Sequence, residues 1–214
     1  MTKKQRLAAA VERLKERYPD ALCSLTSRSA FELLVATRLS AQCTDARVNL
    51  VTPALFARCP DAGALAETPV EEVEELIRTC GLYKTKARDL VAMAGVLVEK
   101  HGGRVPDTME ELTALPGIGR KTANLIMGDI YGAPAVVTDT HLIRLANRLG
   151  LVDTKDPFKV EQAMWKIIDP AESNNFCHRA VLFGRNICTA RSPRCGECPL
   201  ADICPAGKDG GKNA

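Results

Sequence analysis

Hydrophobic residues recur at helical spacing along most of the chain. Leu7, Val11, Leu14 and Tyr18 form one stripe, which ends at Pro19. Residues three and four positions apart lie on one face of a helix, so this stripe predicts an amphipathic helix. We find no segment with the regular alternation of apolar and polar residues that indicates a half-buried strand. The pattern therefore predicts an all-α protein.

Capping residues and helix-stop residues place the other helices. Ser29 with Glu32 three positions later has the pattern of a capping box, and either Asp107 or Thr108 can cap the short helix that ends at Ala114. Glycine or proline follows most of the remaining stripes, as at helix ends in general. Helices are predicted over residues 31–39, 69–80, 87–98, 108–114, 120–131, 140–149, 157–168 and 175–187. The Gly- and Lys-rich residues 206–214 are expected to fray.

Length and composition are those of an ordinary globular protein. The chain has 214 residues, 46% hydrophobic and 26% charged, which fits one large domain or two small ones. Its apolar runs fall short of the roughly 20 residues that a membrane span needs. The first residues lead into a charged helix rather than a signal peptide. We therefore expect a soluble protein that is not exported.

Charge is more informative in its distribution than in its total. A net charge of +3 is too small to imply nucleic acid binding. Residues 173–196 hold four arginines and no acid, whereas residues 67–75 hold five acids and no base. This predicts one basic and one acidic face, although the acidic run also suits an ordinary solvated helix face.

The cysteines divide into a scattered group and a crowded group. Nine cysteines without an export signal do not suggest a disulfide framework. Four of them have the spacing Cys188-x6-Cys195-x2-Cys198-x5-Cys204. Four thiolates hold either zinc or an iron-sulfur cluster, and the single x2 spacing favours a [4Fe-4S] cluster because zinc ribbons usually pair two. The others are expected to be reduced thiols: Cys23, Cys43, Cys59, Cys80 and Cys177.

A glycine-rich turn lies between two predicted short helices. Its sequence is Leu115-Pro-Gly-Ile-Gly119, followed by Arg120 and Lys121. Gly117 and Gly119 permit positive φ and would leave backbone N–H groups open at the start of the next helix, where an anion is favoured. An ordinary helix-helix turn is the alternative, but it needs only one glycine. We predict a phosphate-binding helix-hairpin-helix over about residues 108–131.

The hairpin, the segment Val137-Thr-Asp-Thr-His141 and the four-cysteine loop together resemble the endonuclease III family of DNA glycosylases. The resemblance extends from Leu34 to Cys204. It includes Leu39-Ser-Ala-Gln-Cys-Thr-Asp45 and Gly81-Leu-Tyr-Lys-Thr-Lys-Ala87, both typical of that family. It implies that the four cysteines bind a [4Fe-4S] cluster.

The resemblance also implies a two-domain all-α fold, the helix-hairpin-helix DNA glycosylase fold. Residues 22–132 would form a helical barrel that contains the hairpin. Residues 1–21 and 133–214 would form the iron-sulfur cluster domain, with the cluster loop at 188–204. DNA would lie in the groove between the two domains.

The implied activity is that of a bifunctional DNA glycosylase and abasic-site lyase acting on oxidised or ring-saturated pyrimidines. Lys121 falls on the position of the attacking amine, which forms a Schiff base with the sugar before β-elimination, and Asp139 falls on that of the catalytic carboxylate. An amine attacks only when neutral, and we expect burial beside a helix N-terminus to disfavour the charge of Lys121. The alternatives are a simple phosphate contact for Lys121 and a simple helix N-cap for Asp139.

Further residues are implied as DNA contacts. Gln42 and Leu82 would fill the gap left by a base that has moved out of the duplex. Leu82 has an alternative as a hydrophobic contact at a helix C-cap, and His141 has one as a structural histidine. The whole set comprises Gln42, Leu82, Gly117, Gly119, Arg120, His141, Arg191 and Arg194.

The expected partner is double-stranded DNA with damaged bases or abasic sites. We expect the protein to be a monomer that does not bind membranes and that acts at the nucleoid in a bacterial cytoplasm.

Three other functions compete with this one. An adenine-mismatch glycosylase lacks the lysine, a non-catalytic helix-hairpin-helix module needs neither Lys121 nor Asp139, and an electron carrier has no use for the hairpin.

Overall fold

The computed structural model describes residues 1–208, and all regular secondary structure in that range is helical. This confirms the all-α prediction. Residues 209–214, most of the tail predicted to fray, lie outside the described residues. The α-helices of the described range are α1 Lys3–Arg17, α2 Ala30–Leu39, α3 Asp45–Arg58, α4 Ala62–Glu67, α5 Val70–Leu76, α6 Tyr83–His101, α7 Met109–Ala114, α8 Arg120–Asp129, α9 Thr140–Arg148, α10 Pro157–Trp165, α11 Ser173–Asn186 and α12 Pro205–Lys208.

The chain forms two compact units. One contains Cys23–Gly132, and the other combines Met1–Leu22 with the described residues from Ala133 onwards. Over residues 1–208, each helix is either too short or too polar to cross a membrane.

Helix α2 is the centre of the unit Cys23–Gly132. It packs against α3, α6 and α8, and eight of its ten residues are buried, as expected of a helix that is apolar on nearly all sides. Helices α4 and α5 pack on α6, and α7 packs on α8. Lys86 of α6 is completely buried, and its Nζ donates a hydrogen bond of 2.7 Å to the carbonyl oxygen of Leu39. This bond fixes the start of α6 to the end of α2.

The other unit is built on the pair α9 and α11. Helix α1 packs on α11, while α10 and α12 pack on α9. The Arg13 guanidinium of α1 donates to the Pro199 carbonyl at 2.9 Å and to both carboxylate oxygens of Asp202, at 2.5 and 3.0 Å. Helix α1 therefore holds the segment that follows Cys198.

Several predicted helix boundaries are wrong, and three α-helices of the described range escaped prediction: α3, α4 and α12, whose residues 206–208 were expected to fray. The helix expected to reach Cys80 ends at Leu76, and Pro69 is its N-cap. Helix α3 was hidden because Pro53 interrupts its pattern, although a proline is tolerated there. Helix α4 has only six residues, too few for a clear stripe.

Two predicted polar features also differ from expectation. Ser29 caps α2 by accepting from the Glu32 N–H at 3.1 Å, but the Glu32 carboxylate accepts from the Arg28 N–H instead of completing a capping box. The basic face is incomplete because Arg179 is buried, where it donates to Glu172 at 2.8 Å.

Candidate functional site

The glycine turn is a tight hairpin between α7 and α8. Thr108, rather than Asp107, caps α7. Gly117 has φ +73°, and a Cβ there would lie 2.6 Å from Arg38 Nε and 2.8 Å from Asp89 Oδ2. Arg38 and Asp89 form an ion pair that packs against the turn at Gly117. Gly117 is therefore required both by its conformation and by the lack of space.

Gly119 has a different role from the one predicted. Its φ of −103° is extended, so the expectation of a positive φ is wrong for this residue. A Cβ on Gly119 would meet nothing within 4 Å. It is the N-cap of α8, whose first turn contains no acid. Helix α8 has no side-chain cap, in contrast to α7 and α9. Uncapped N–H groups and the positive end of the helix dipole make this terminus suitable for an anion.

Lys121 is exposed, so the expectation that it is buried is wrong. It lies in the first turn of α8, whose buried residues begin at Ala123.

Asp139 is the N-cap of α9. Its Oδ1 accepts a hydrogen bond of 2.7 Å from the Leu142 N–H. Oδ2 has no hydrogen-bond partner within the described range of the chain. The side chain is only half-buried. The capping role is thus real, but it occupies one oxygen and leaves the other available to a ligand.

His141 lies against α11. Its Nδ1 faces the Arg144 guanidinium at 3.1 Å, and because a guanidinium only donates, Nδ1 is the acceptor and the ring proton is on Nε2. A Cβ on Gly184 would lie 2.5 Å from the same nitrogen, so only glycine allows this packing. Burial, then the charges of Arg144 and Arg185, lowers the pKa of His141, while Asp139 opposes the shift. These contacts are those of a neutral histidine that anchors α9 to α11.

Gln42 and Leu82 share an unusual backbone conformation. Among residues 1–208 they are the two non-glycine residues with positive φ, 53° and 59°. This left-handed conformation costs about 1–2 kcal/mol per residue and is concentrated at sites that bind ligands. Leu82 is 59% exposed and is the N-cap of α6, which excludes a packed contact at a helix C-cap.

The four clustered cysteines line one cavity. Cys188, Cys195, Cys198 and Cys204 are all half-buried and line the same pocket. Burial raises the pKa of the Cys198 thiol to about 11 and also raises the pKa of Cys204. N–H groups already point at the sulfurs, since Leu200 N–H donates to Cys198 Sγ at 3.4 Å.

The cavity fits an iron-sulfur cluster. Arg148 lines it, is 4% exposed, and has an Nε without a hydrogen-bond partner among the described residues. Four soft sulfur donors beside a buried guanidinium suit a group that carries anionic sulfide. Over residues 1–208 no three His, Cys, Asp or Glu side chains surround a single metal-ion position.

Sequence reasoning missed the arginines that hold the cysteine loop. Arg148 donates to the carbonyls of Thr189 at 2.7 Å and Ala190 at 3.1 Å, and Arg144 donates to the Cys188 carbonyl at 2.9 Å. Two arginines four positions apart on an otherwise apolar helical stripe were the available signal. The predicted phosphate contacts Arg191 and Arg194 are exposed, and Arg194 lies 3.9 Å from the Glu197 carboxylate.

The fold and the site define a helix-hairpin-helix protein with an iron-sulfur loop. Residues 35–170 match the HhH-GPD superfamily of base excision DNA repair proteins, and residues 188–204 match the iron-sulfur binding domain of endonuclease III. The chain belongs to the endonuclease III family, and its cofactor is a [4Fe-4S] cluster.

Two curated relatives and one solved structure are similar to this chain over nearly its whole length. Endonuclease III of Synechocystis sp. is 48% identical over 96% of this chain and 94% of the relative. Endonuclease III of Escherichia coli is 41% identical over 95% of this chain and 96% of the relative. The solved structure of a trapped endonuclease III–DNA covalent intermediate has a TM-score of 0.94 at 42% identity and covers 99% of this chain and 100% of that one.

The [4Fe-4S] assignment predicts the colour and the iron content of the purified protein. Purified protein should be yellow-brown and contain about four irons per chain, as one [4Fe-4S] cluster requires. Cys198→Ser should lower iron content and the yield of folded protein because it removes a ligand, whereas Cys23→Ser, in the other unit, should leave iron unchanged. Metal analysis with visible absorption checks both. A colourless protein with one zinc would contradict the assignment.

Proposed function

We propose that this protein is a bifunctional DNA glycosylase and abasic-site lyase of base excision repair. It removes oxidised or ring-saturated pyrimidines and then cleaves the strand on the 3′ side of the abasic site. The observation that carries the proposal is the exposed Lys121 in the first turn of the uncapped helix α8, directly after the glycine hairpin. A nucleophile there would stand beside a bound phosphate of the DNA backbone.

Lys121 and Asp139 divide the chemistry between them. Breaking the bond between C1′ and the base builds oxocarbenium character on the sugar, which the Asp139 carboxylate stabilises. The Lys121 amine attacks C1′, the base leaves, and the opened sugar becomes a Schiff base. Removal of a C2′ proton then expels the 3′ phosphate. Similarity to a protein solved as a trapped covalent DNA intermediate supports this assignment.

Gln42 and Leu82 are the residues that we propose to enter the duplex. A base must leave the stack before it reaches a catalytic amine, and the vacancy must be filled. The exposed apolar Leu82 suits the gap, and the polar Gln42 suits the partner base that has lost its hydrogen bonds. Their shared positive φ supports this role because both side chains are held at strained positions of the surface.

Phosphate contacts come from two places. Gly117, Gly119 and Arg120 form one at the hairpin, and Arg191 and Arg194 form the other on the cysteine loop. The cluster, when bound, supplies a rigid crosslink for loop 188–204. His141 contributes by holding the start of α9, and with it Asp139, against α11.

Salt dependence tests the loop arginines. Arg191→Ala and Arg194→Ala should each reduce the slope of log affinity against log salt by about one unit, because each neutralised phosphate releases about one counterion. Damaged and undamaged duplexes should be affected alike. Fluorescence anisotropy at several salt concentrations provides the measurement. A changed choice of lesion in either variant would contradict a phosphate contact.

One assay tests the function as a whole. The holoprotein is incubated with duplexes that carry either a single abasic site or one lesion from a panel of oxidised and ring-saturated pyrimidines, an adenine mismatch included. We expect base release from the pyrimidine lesions and strand cleavage at the abasic site. Release of mismatched adenine without strand cleavage would instead favour an adenine-mismatch glycosylase, and binding without any reaction would favour a non-catalytic module.

We further propose that the protein acts as a monomer at the bacterial nucleoid, since its substrate is damaged chromosomal DNA. The similarity to endonuclease III proteins of bacteria supports this setting.

A further inference from the structure

Two thiols outside the cysteine loop are neighbours in the unit Cys23–Gly132. Burial, followed by the charge and the thiol of the neighbouring Cys43, raises the pKa of Cys80 to about 11. The backbones beside them touch, because a Cβ on Gly81 would lie 3.1 Å from the carbonyl oxygen of Gln42. Both cysteines lie outside helices, in turns where Cys43 N–H donates to Ser40 and Cys80 N–H donates to Ile77. The two thiols therefore lie on neighbouring turns of the same unit.

The two thiols differ in the way that disulfide formation requires. Cys43 is half-buried and open to a reagent, whereas Cys80 is 1% exposed and can react only with a neighbour inside the protein. The charges of Lys86 and Arg47 favour the Cys80 thiolate and partly offset the larger effect of burial and of Cys43, which keeps its pKa raised. Lys86 is held in place by its bond to Leu39. The arrangement combines an attacking thiol, a resolving thiol and cations that stabilise the charge developed in the exchange.

We propose that Cys43 and Cys80 form a reversible disulfide when the protein meets an oxidised low-molecular-weight disulfide. The Cys43 thiolate attacks one sulfur of that reagent, whose S–S bond breaks to release one thiolate. Cys80 then loses its proton and attacks the Cys43 sulfur, which releases the second thiolate. The protein gives up two hydrogens as two protons and two electrons, and the reagent becomes two thiols.

The position of the pair gives the disulfide a consequence. Cys43 directly follows Gln42, and Cys80 is two positions before Leu82, so one bond would tie both strained segments together. A disulfide holds the Cβ atoms of its two cysteines about 3.8 Å apart. It would therefore also fix Gln42 and Leu82 in one relative arrangement. On the proposed function, Gln42 and Leu82 must adapt to the duplex. The oxidised protein should therefore process damaged DNA more slowly, which makes the pair a redox control of repair.

Peptide mapping tests the bond without reference to activity. The holoprotein is treated with oxidised glutathione, its free thiols are alkylated, and it is digested with trypsin. Cys43 and Cys80 fall in separate peptides, residues 39–47 and 79–84, each with a single cysteine. We expect the two peptides joined, lighter by two hydrogens, and separated again by dithiothreitol. Glutathione that remains on Cys43 with no link to Cys80 would overturn the proposal.

Matched variants separate this bond from general oxidation. Cys23→Ser removes another half-buried thiol of the same unit and should leave the crosslink intact, whereas Cys43→Ala and Cys80→Ala should each abolish it. Arg47→Gln should slow crosslinking about threefold, because it removes a charge that favours the thiolate.

The activity measurement tests the control itself. Strand cleavage should fall about tenfold on oxidation, ~1.4 kcal/mol of barrier, and recover with dithiothreitol. Cys43→Ala protein should keep its activity through the same treatment, and the cluster's visible absorption should not change. If oxidation inhibited the Cys43→Ala protein as strongly as the wild type, redox control through this disulfide would be overturned. Failure of the proposed function would appear differently, as a reduced protein that is already inactive, and the mapping would still decide whether the bond forms.

Discussion

A Lys121→Gln protein should form no covalent adduct with DNA when a borohydride-type reductant is present. Reduction converts the Schiff base into a stable amine, so wild-type protein becomes fixed to its DNA, whereas an amide cannot form the Schiff base. Strand cleavage at an abasic site should fall at least about a thousandfold, ~4 kcal/mol of barrier at ~1.4 kcal/mol per tenfold. Denaturing gels of the trapped complex and of the cleaved strand measure both effects.

Binding distinguishes loss of the nucleophile from loss of the hairpin. Lys121→Gln should still bind damaged duplex, because Gly117 and the uncapped start of α8 are unchanged. Lys100→Gln removes another exposed lysine of the same unit and should retain both trapping and cleavage. An adduct that persists in Lys121→Gln protein would move the nucleophile to another residue.

Features encoded locally could be predicted from the sequence. The hairpin followed from Pro-Gly-Ile-Gly, and the structure shows why Gly117 is needed there: φ is +73° and Arg38 fills the space that a Cβ would occupy. The alternative of Asp139 as an N-cap also followed from its position before Thr140, and that cap is present. Turns and caps depend on residues within about four positions of each other, so one sequence contains the whole signal.

Features that depend on tertiary packing could not be predicted. Arg148 and Lys86 are buried cations that donate to carbonyls of Thr189 and Leu39, 41 and 47 positions away. Neither partner is marked by its residue type, because any residue has a carbonyl oxygen. The predicted burial of Lys121 was wrong for the same reason: exposure depends on which face of α8 meets the core. The roles of the site residues and the barrel and cluster-domain boundaries stay predictions.

Asp139→Asn protein should lose most of its base excision while keeping its fold. Asparagine caps a helix about as well as aspartate, so the bond from Leu142 N–H to Oδ1 can be kept and α9 should begin as before. The substitution removes only the negative charge. If that charge stabilises the oxocarbenium character at C1′, excision of a damaged pyrimidine should fall by about 100- to 1000-fold, ~3–4 kcal/mol of barrier. Single-turnover base release gives the rate of this step.

The substrate and a second cap separate the two roles of Asp139. Strand cleavage at a preformed abasic site should fall less than base excision, because the glycosidic bond is already broken and the oxocarbenium step is bypassed. Asp156→Asn is the matched control: Asp156 caps α10 in the same unit by accepting from Lys159 N–H at 2.8 Å, and its amide variant should keep full activity. Thermal unfolding of both variants should match the wild type. If the Asp139→Asn protein excised bases at the full rate, the only role of this carboxylate would be to cap α9. Another acid would then have to supply the charge that the reaction needs.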